Sequence, residues 1–156
     1  MTCEVIDADP KRALYRIRDR AAWAVVRDRG VWIMISINET VSNYIAAWNE
    51  TDAGRRRAVV ARAWSDDGRY LDAHREGTGH AAIDAMIAAV QERFTGYRFR
   101  LASGIEAHHD RVRFSWTAGG TEQAPLFFGG TDFAVLAEDG RLRMVTGFTD
   151  AAPSAA

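Results

Sequence analysis

Three polar side chains fall in stretches that otherwise read as protein interior, and they are of the types that move protons. Asp132 lies within Gly130-Thr131-Asp132-Phe133-Ala134-Val135, a strand-like run in which a carboxyl is costly unless it is paired or neutral. Asp72 lies within Arg69-Tyr70-Leu71-Asp72-Ala73-His74, where a period of two puts Tyr70, Asp72 and His74 on one face. Tyr44 precedes Trp48 by four residues, so both project from one face of a helix toward whatever the following strands enclose. An apolar pocket raises a carboxyl pKa because burial disfavours the charged form, and a neutral acid can then donate a hydrogen bond. Two carboxyls and one phenol are the fewest groups here that could share acid–base work with stabilisation of an oxyanion. His74 adds a second titratable group with an ordinary pKa near neutrality, so it could serve as base in place of Asp72. Trp48, Tyr70, Phe114, Trp116 and Phe128 could line a pocket suited to an aromatic or polycyclic ligand.

Each of these residues also has a purely structural reading. Tyr44 could be a core tyrosine with its hydroxyl satisfied by a neighbour, Asp72 a turn acceptor or ion-pair partner, and Asp132 a paired buried acid. The run His108-His109-Asp110 looks at first like a metal site, but adjacent strand histidines point to opposite faces and the stretch reads as a solvated turn. His80, at a helix start, reads as a capping or surface residue. No set of His and acidic residues has zinc or iron spacing, so no metal is expected. Gly119-Gly120 and Gly129-Gly130 lack the strand-glycine-helix context of a phosphate cradle, and no cofactor is expected.

The elements that must position these groups follow from periodicity. Ser36-Ile37-Asn38-Glu39 fits a capping box, so a helix begins there, with Ile37, Val41, Tyr44, Ile45 and Trp48 as its apolar stripe. A second helix is expected over about 55–64, burying Val59, Val60, Ala63 and Trp64 while its arginines face water; Ser65-Asp66-Asp67-Gly68 then reads as its stop. The short strand 69–74 follows, then a third helix over 80–94 on Ile83, Met86, Ile87, Val90 and Phe94. Strands over 97–107, 111–117, 126–136 and 141–149, joined by turn signals, predict an antiparallel meander. The fold class is therefore α+β, with three helices on the concave face of a curved antiparallel sheet. Apolar residues on both strand faces, such as Phe114 and Trp116 against Phe133 and Val135, predict a homodimer through the sheet.

Residues 1–33 read differently. They carry seven basic against five acidic side chains, in a chain whose formal net charge is -1. Leu14, Ile17, Ala21 and Val25 permit an amphipathic helix over about 10–27, an N-terminal extension ahead of Met34 that is either dispensable or packed on the domain or a partner. A domain over 34–150 and a disordered tail over 151–156 complete the chain. The pI near 6.4 leaves no basic surface excess for nucleic acid or an anionic membrane, so the partner is a small hydrophobic molecule or a second subunit. A single cysteine, Cys3, and no visible signal peptide point to the cytoplasm, and the longest apolar runs are too short to span a bilayer.

This element order, with Tyr44-Ile45-Ala46-Ala47-Trp48-Asn49, Asp52, Tyr70-Leu71-Asp72, Gly79-His80-Ala81-Ala82-Ile83 and Gly130-Thr131-Asp132-Phe133, resembles the nuclear transport factor 2-like superfamily over about 38–150. That superfamily includes the SnoaL-like polyketide cyclases and the ketosteroid isomerases. The resemblance implies a cone-shaped sheet, and it puts Tyr44 at the isomerases' oxyanion tyrosine, Asp72 at their general base and Asp132 at their second, protonated acid. It implies a bacterial-type, cofactor-free isomerase or cyclase that moves a proton on carbon beside a carbonyl, while the phenol and the neutral acid hydrogen-bond the resulting oxyanion. The rival expectation is a non-catalytic small-molecule-binding or dimerisation module of the same fold.

Overall fold

The computed structural model describes residues 3–5, 15–17, 23–28, 31–119 and 127–150. Its element order begins β1 (Cys3–Val5), β2 (Tyr15–Ile17), β3 (Trp23–Asp28) and β4 (Val31–Ser36). It continues with α1 (Ile37–Asn49), α2 (Ala53–Ala63), β5 (Trp64–Leu71), β6 (Glu76–Thr78) and α3 (Gly79–Arg93). Then come β7 (Phe99–Leu101), β8 (Glu106–His108), β9 (Arg111–Gly119), β10 (Phe127–Leu136) and β11 (Leu142–Thr149).

The apolar stripes place the three helices. α1 buries Ile37, Val41, Tyr44, Ala47 and Trp48, and α3 buries Ile83, Ile87 and Val90, both at helical spacing. α2 starts at Asp52, whose carboxylate accepts from the Arg55 N–H at 2.8 Å. Contrary to the expectation that all its arginines face water, Arg56 is buried, because it shares the helix face of Val59, Val60 and Ala63. Its guanidinium is paired with Asp84 at 2.8 Å and donates to Gln91 at 3.1 Å, which fastens α2 to α3.

β9, β10 and β11 form the predicted meander, but the sheet is mixed rather than purely antiparallel. Its order is β6-β5-β11-β10-β9-β7, with β8 also on β9, and it does not close on itself. β5 runs parallel to β11, since the chain reaches it from α2 and must cross the domain to reach the meander. The expected strand 97–107 is two short strands, both paired with β9. The expected stop at Ser65-Asp66-Asp67-Gly68 lies inside β5: the register steps from Leu142↔Trp64 to Met144↔Arg69, so these residues bulge out of the ladder. The result is an α+β cone, with α1, α2 and α3 on one face and a core that includes Trp64, Phe114, Leu142 and Val145.

The N-terminal expectation is corrected. Where a helix was expected over 10–27, Tyr15–Ile17 pairs with Cys3–Val5 and Trp23–Asp28 pairs with Val31–Ser36, each antiparallel. The β-branched and aromatic content of Trp23-Ala24-Val25-Val26 and Val31-Trp32-Ile33 outweighs the helical spacing of four apolar residues. The boundary expected at residue 33 falls within β4. The tail 151–156 and the Gly120 end of the Ala118-Gly119-Gly120 turn lie outside the described residues. In the exposed run His108-His109-Asp110, His108 ends β8 and His109-Asp110 form the turn to β9. No helix among the described residues is long and apolar enough to cross a membrane.

Candidate functional site

Between α1, α3 and the sheet lies a cavity of about 320 Å³ whose walls are mostly aromatic: Tyr44, Trp48, Tyr70, Phe94, Phe99, Trp116 and Phe128. Its polar wall is short: Asp72, His74 and Arg75 come from the turn after β5, and Thr149 and Asp150 from the end of the neighbouring β11. Mostly apolar walls with a few convergent polar groups are the usual composition of a small-molecule site.

Each wall has a local cause. Trp48 comes from α1 one turn after Tyr44 and packs edge-on against Tyr70, ring centroids 5.4 Å apart. The last turn of α1 is tied to the sheet by Asn49, whose side-chain amide donates to the Phe99 carbonyl at 2.8 Å and accepts from the Phe99 N–H at 2.9 Å. That fixes Phe99 against Trp48 and Trp116, at centroid distances of 5.3 and 5.4 Å. The Trp116 indole can pack close against β10 because Gly130 has no Cβ; one built there would meet the indole at 2.6 Å.

Tyr44 and Asp132 meet. The Tyr44 hydroxyl donates to Asp132 Oδ2 at 2.5 Å, although the residues are 88 positions apart. Asp132 is completely buried, and burial, together with the nearby Asp72, pushes its pKa up to about 6. The Tyr44 hydrogen bond and, at longer range than a hydrogen bond, the Trp116 indole N–H pull the other way and limit the rise. Burial and the adjacent Asp132 push the Tyr44 phenol well above its usual range, and burial does the same to Tyr70. Both phenols therefore remain proton donors at neutral pH.

Asp72 sits one residue beyond β5, in the turn to β6, where its N–H donates to the Arg75 carbonyl at 2.9 Å. Its carboxylate accepts from three donors: the His74 N–H at 2.7 Å, the Tyr70 hydroxyl at 3.1 Å and the Arg75 guanidinium at 3.1 Å. Two carboxylate oxygens offer about four acceptor sites, so these three donors leave one unused on this cavity-lining side chain. Tyr70 donates its hydroxyl to Asp72 and lies near the other acid, Asp132, whose Oδ1 is buried and accepts no hydrogen bond among the described residues. A Cβ at Gly147, the register partner of Asp132, would lie 2.9 Å from Asp132 Oδ1, 3.0 Å from the Tyr70 hydroxyl and 3.6 Å from the Asp72 Cβ.

The predicted residues thus divide. Tyr44, Trp48, Tyr70, Asp72, His74, Trp116 and Phe128 line one cavity. Phe114 does not: it is buried beneath Tyr44, with ring centroids 5.2 Å apart, and supports the phenol from below. Asp132 is also absent from the wall, covered by Tyr44, so it reaches the cavity through that hydroxyl. Sequence reasoning missed Arg75, Phe94 and Phe99, which the turn after β5, the end of α3 and the start of β7 bring inward. It also missed Gly147, whose signal was a lone glycine within a strand. Gly147→Ala is expected to destabilise the fold by about 1–3 kcal/mol through overpacking against Asp132. Urea unfolding with an unchanged midpoint would show instead that the carboxyl yields freely.

No protein-family model matches the chain, and no match is found among curated proteins. Solved structures do match. A protein of the SnoaL-like family from Agrobacterium tumefaciens str. C58, assigned as an isomerase, is 40% identical with a TM-score of 0.68, over 73% of this chain and 97% of that one. A SnoaL-like protein from Jannaschia sp. CCS1, assigned as a polyketide cyclase, is 17% identical (TM-score 0.57, 72% of this chain, 86% of that one). A protein of ketosteroid isomerase-like fold from Catenulispora acidiphila DSM 44928, in complex with trimethylamine, is 19% identical (TM-score 0.56, 70% and 84%). The last two share the fold, whereas the first, at its identity and coverage, shares the family. On the fold and this relationship, the chain belongs to the SnoaL-like family of the nuclear transport factor 2-like superfamily.

Proposed function

We propose that the protein is a cofactor-independent isomerase or cyclase of the bacterial cytoplasm that binds a hydrophobic carbonyl compound and moves a proton on the carbon beside the carbonyl. The observation that carries this reading is the convergence of Tyr44, Tyr70, Asp72 and buried Asp132 at one end of an aromatic cavity. Asp72 takes the proton at its open acceptor site. The Tyr44 hydroxyl stabilises the developing oxyanion, and Asp132 acts through Tyr44 rather than touching substrate. When Asp132 is protonated it donates to the Tyr44 oxygen, which frees the phenolic proton to turn toward the cavity. The three donors already on Asp72 favour a second assignment of the base, the exposed and cavity-lining His74. Turnover of a panel of β,γ-unsaturated ketones, followed by the absorbance of the conjugated product, tests the reaction class. Ligand binding without turnover across that panel would favour the non-catalytic binding module.

The same proposal includes a homodimer through the outer face of the sheet. Phe133 and Phe148 are 48% and 59% exposed with ring centroids 6.1 Å apart, and Leu71 and Met144 extend the patch. An open patch of this kind marks an interaction surface. Phe148→Glu is expected to shift sedimentation from dimer toward monomer; an unchanged sedimentation coefficient would remove the outer face from the interface.

A further inference from the structure

A second cavity, of about 390 Å³, adjoins the aromatic one and shares His74, Arg75 and Val90 with it; Glu76, Met86, Ala89 and Arg93 complete its lining. The charges of this groove do not cancel. Arg75 is paired with Asp72 at 3.1 Å and Glu76 with Arg69 at 3.4 Å, which neutralises both of those side chains. Arg93, in the last turn of α3, has no carboxylate partner among the described residues; its guanidinium lies 5.6 Å from the ring centroid of Phe94, which lines the aromatic cavity. The other cavity-lining acid, Asp150, follows β11 and lies beside Gly129, where an added Cβ would meet its carboxylate at 3.1 Å. The groove itself therefore carries about one uncompensated positive charge, on Arg93, directly outside a cavity whose walls are mostly aromatic.

Resting on the reading of the aromatic cavity as a carbonyl-compound site, we infer that the substrate carries a carboxylate arm, which leaves that cavity past His74 and Arg75 and ends on the Arg93 guanidinium. One free guanidinium matches a monoanion and presents the planar fork that a carboxylate accepts. Met86, Ala89 and Val90 give the methylene chain between ring and carboxylate an apolar floor. A dianionic phosphate would need a second uncompensated cation, and Arg75 is held by Asp72.

The probes are naphthoylpropionate, an aryl ketone whose acyl chain ends in a carboxylate, and its methyl ester, which keeps the ring and chain without the charge. Isothermal titration should show the acid binding about fivefold more tightly than the ester, the size of one partly exposed ion pair, with the difference shrinking as salt rises. Arg93→Gln should weaken the acid to the level of the ester and leave the ester unchanged. Arg62→Gln, on the exposed side of α2, should alter neither. Equal affinities for acid and ester in the parent protein, or an Arg93→Gln loss shared by both probes, would overturn the carboxylate arm while leaving the aromatic site standing. Failure of both probes to bind at any accessible concentration would overturn the carbonyl-site reading, and the arm with it.

Discussion

Asp72→Asn is expected to lower kcat/KM for the ketone isomerisation by about a hundred- to ten-thousandfold, the range that a positioned general base supplies. Asparagine keeps the size of the side chain and can still accept the His74 N–H, but it cannot take a proton from carbon. It also presents an amide N–H₂ near the Arg75 guanidinium, where the carboxylate accepted at 3.1 Å, so a thermal melt must accompany the kinetics. His74→Gln is the informative partner. If His74→Gln carries the large loss and Asp72→Asn does not, the imidazole is the base and Asp72 merely orders the turn after β5. If neither variant loses activity, the catalytic assignment at this end of the cavity fails.

The second large effect is on stability. The Asp132 pKa is about 6 in the fold against an ordinary 3.8, so the folded protein holds this proton where the unfolded chain has released it. The sign follows: the stabilisation is fully present below about 3.8 and is lost as pH rises through about 6, above which both states are ionised. The full difference corresponds to about 3 kcal/mol. Carboxyls held low by a neighbour, such as Glu50 hydrogen-bonded to Arg55, act in the opposite sense. The contribution is therefore read as the difference between the parent protein and Asp132→Asn in urea unfolding from pH 4 to 7. A parent curve parallel to that of the variant, or an ordinary Asp132 titration near 4 by NMR, would show that the carboxyl is not held neutral by burial. In the functional reading the same proton governs Tyr44, so activity should fall across the window in which Asp132 ionises, provided the base remains ionised there.

The helices and the meander were legible because their signal is repeated: Ile83, Ile87 and Val90 mark α3 three times over, and one stray residue does not alter the period. What depends on a single residue was not legible. Arg56 reads as solvated by composition, yet its place on the face of Val59 and Val60 buries it against Asp84. Ser65-Asp66-Asp67-Gly68 has the chemistry of a stop, and only the ladder with β11 shows it as a bulge within a strand. The site behaved likewise. Tyr44 and Asp132 could be named from residue type and setting, but the order in which they stack was hidden, and so was the covering of Asp132 by Tyr44. Equally hidden was Gly147, whose missing side chain leaves room for Asp132 and Tyr70 to approach. Around residues 10–27, a helical spacing of four apolar residues competed with β-branched runs, and local propensity prevailed in β3 and β4.

Asn49 has one more consequence. Its side chain offers Phe99 one acceptor and one donor, the pair of groups that a neighbouring strand would present, so a single amide stands in for a strand at the rim of the sheet. A second chain arriving there to extend the ladder would meet a backbone already satisfied at Phe99. Protection of that rim guards against open-ended stacking of copies, and it leaves the broad exterior of the sheet, with Phe133 and Phe148, as the surface on which the proposed closed pair of copies would form.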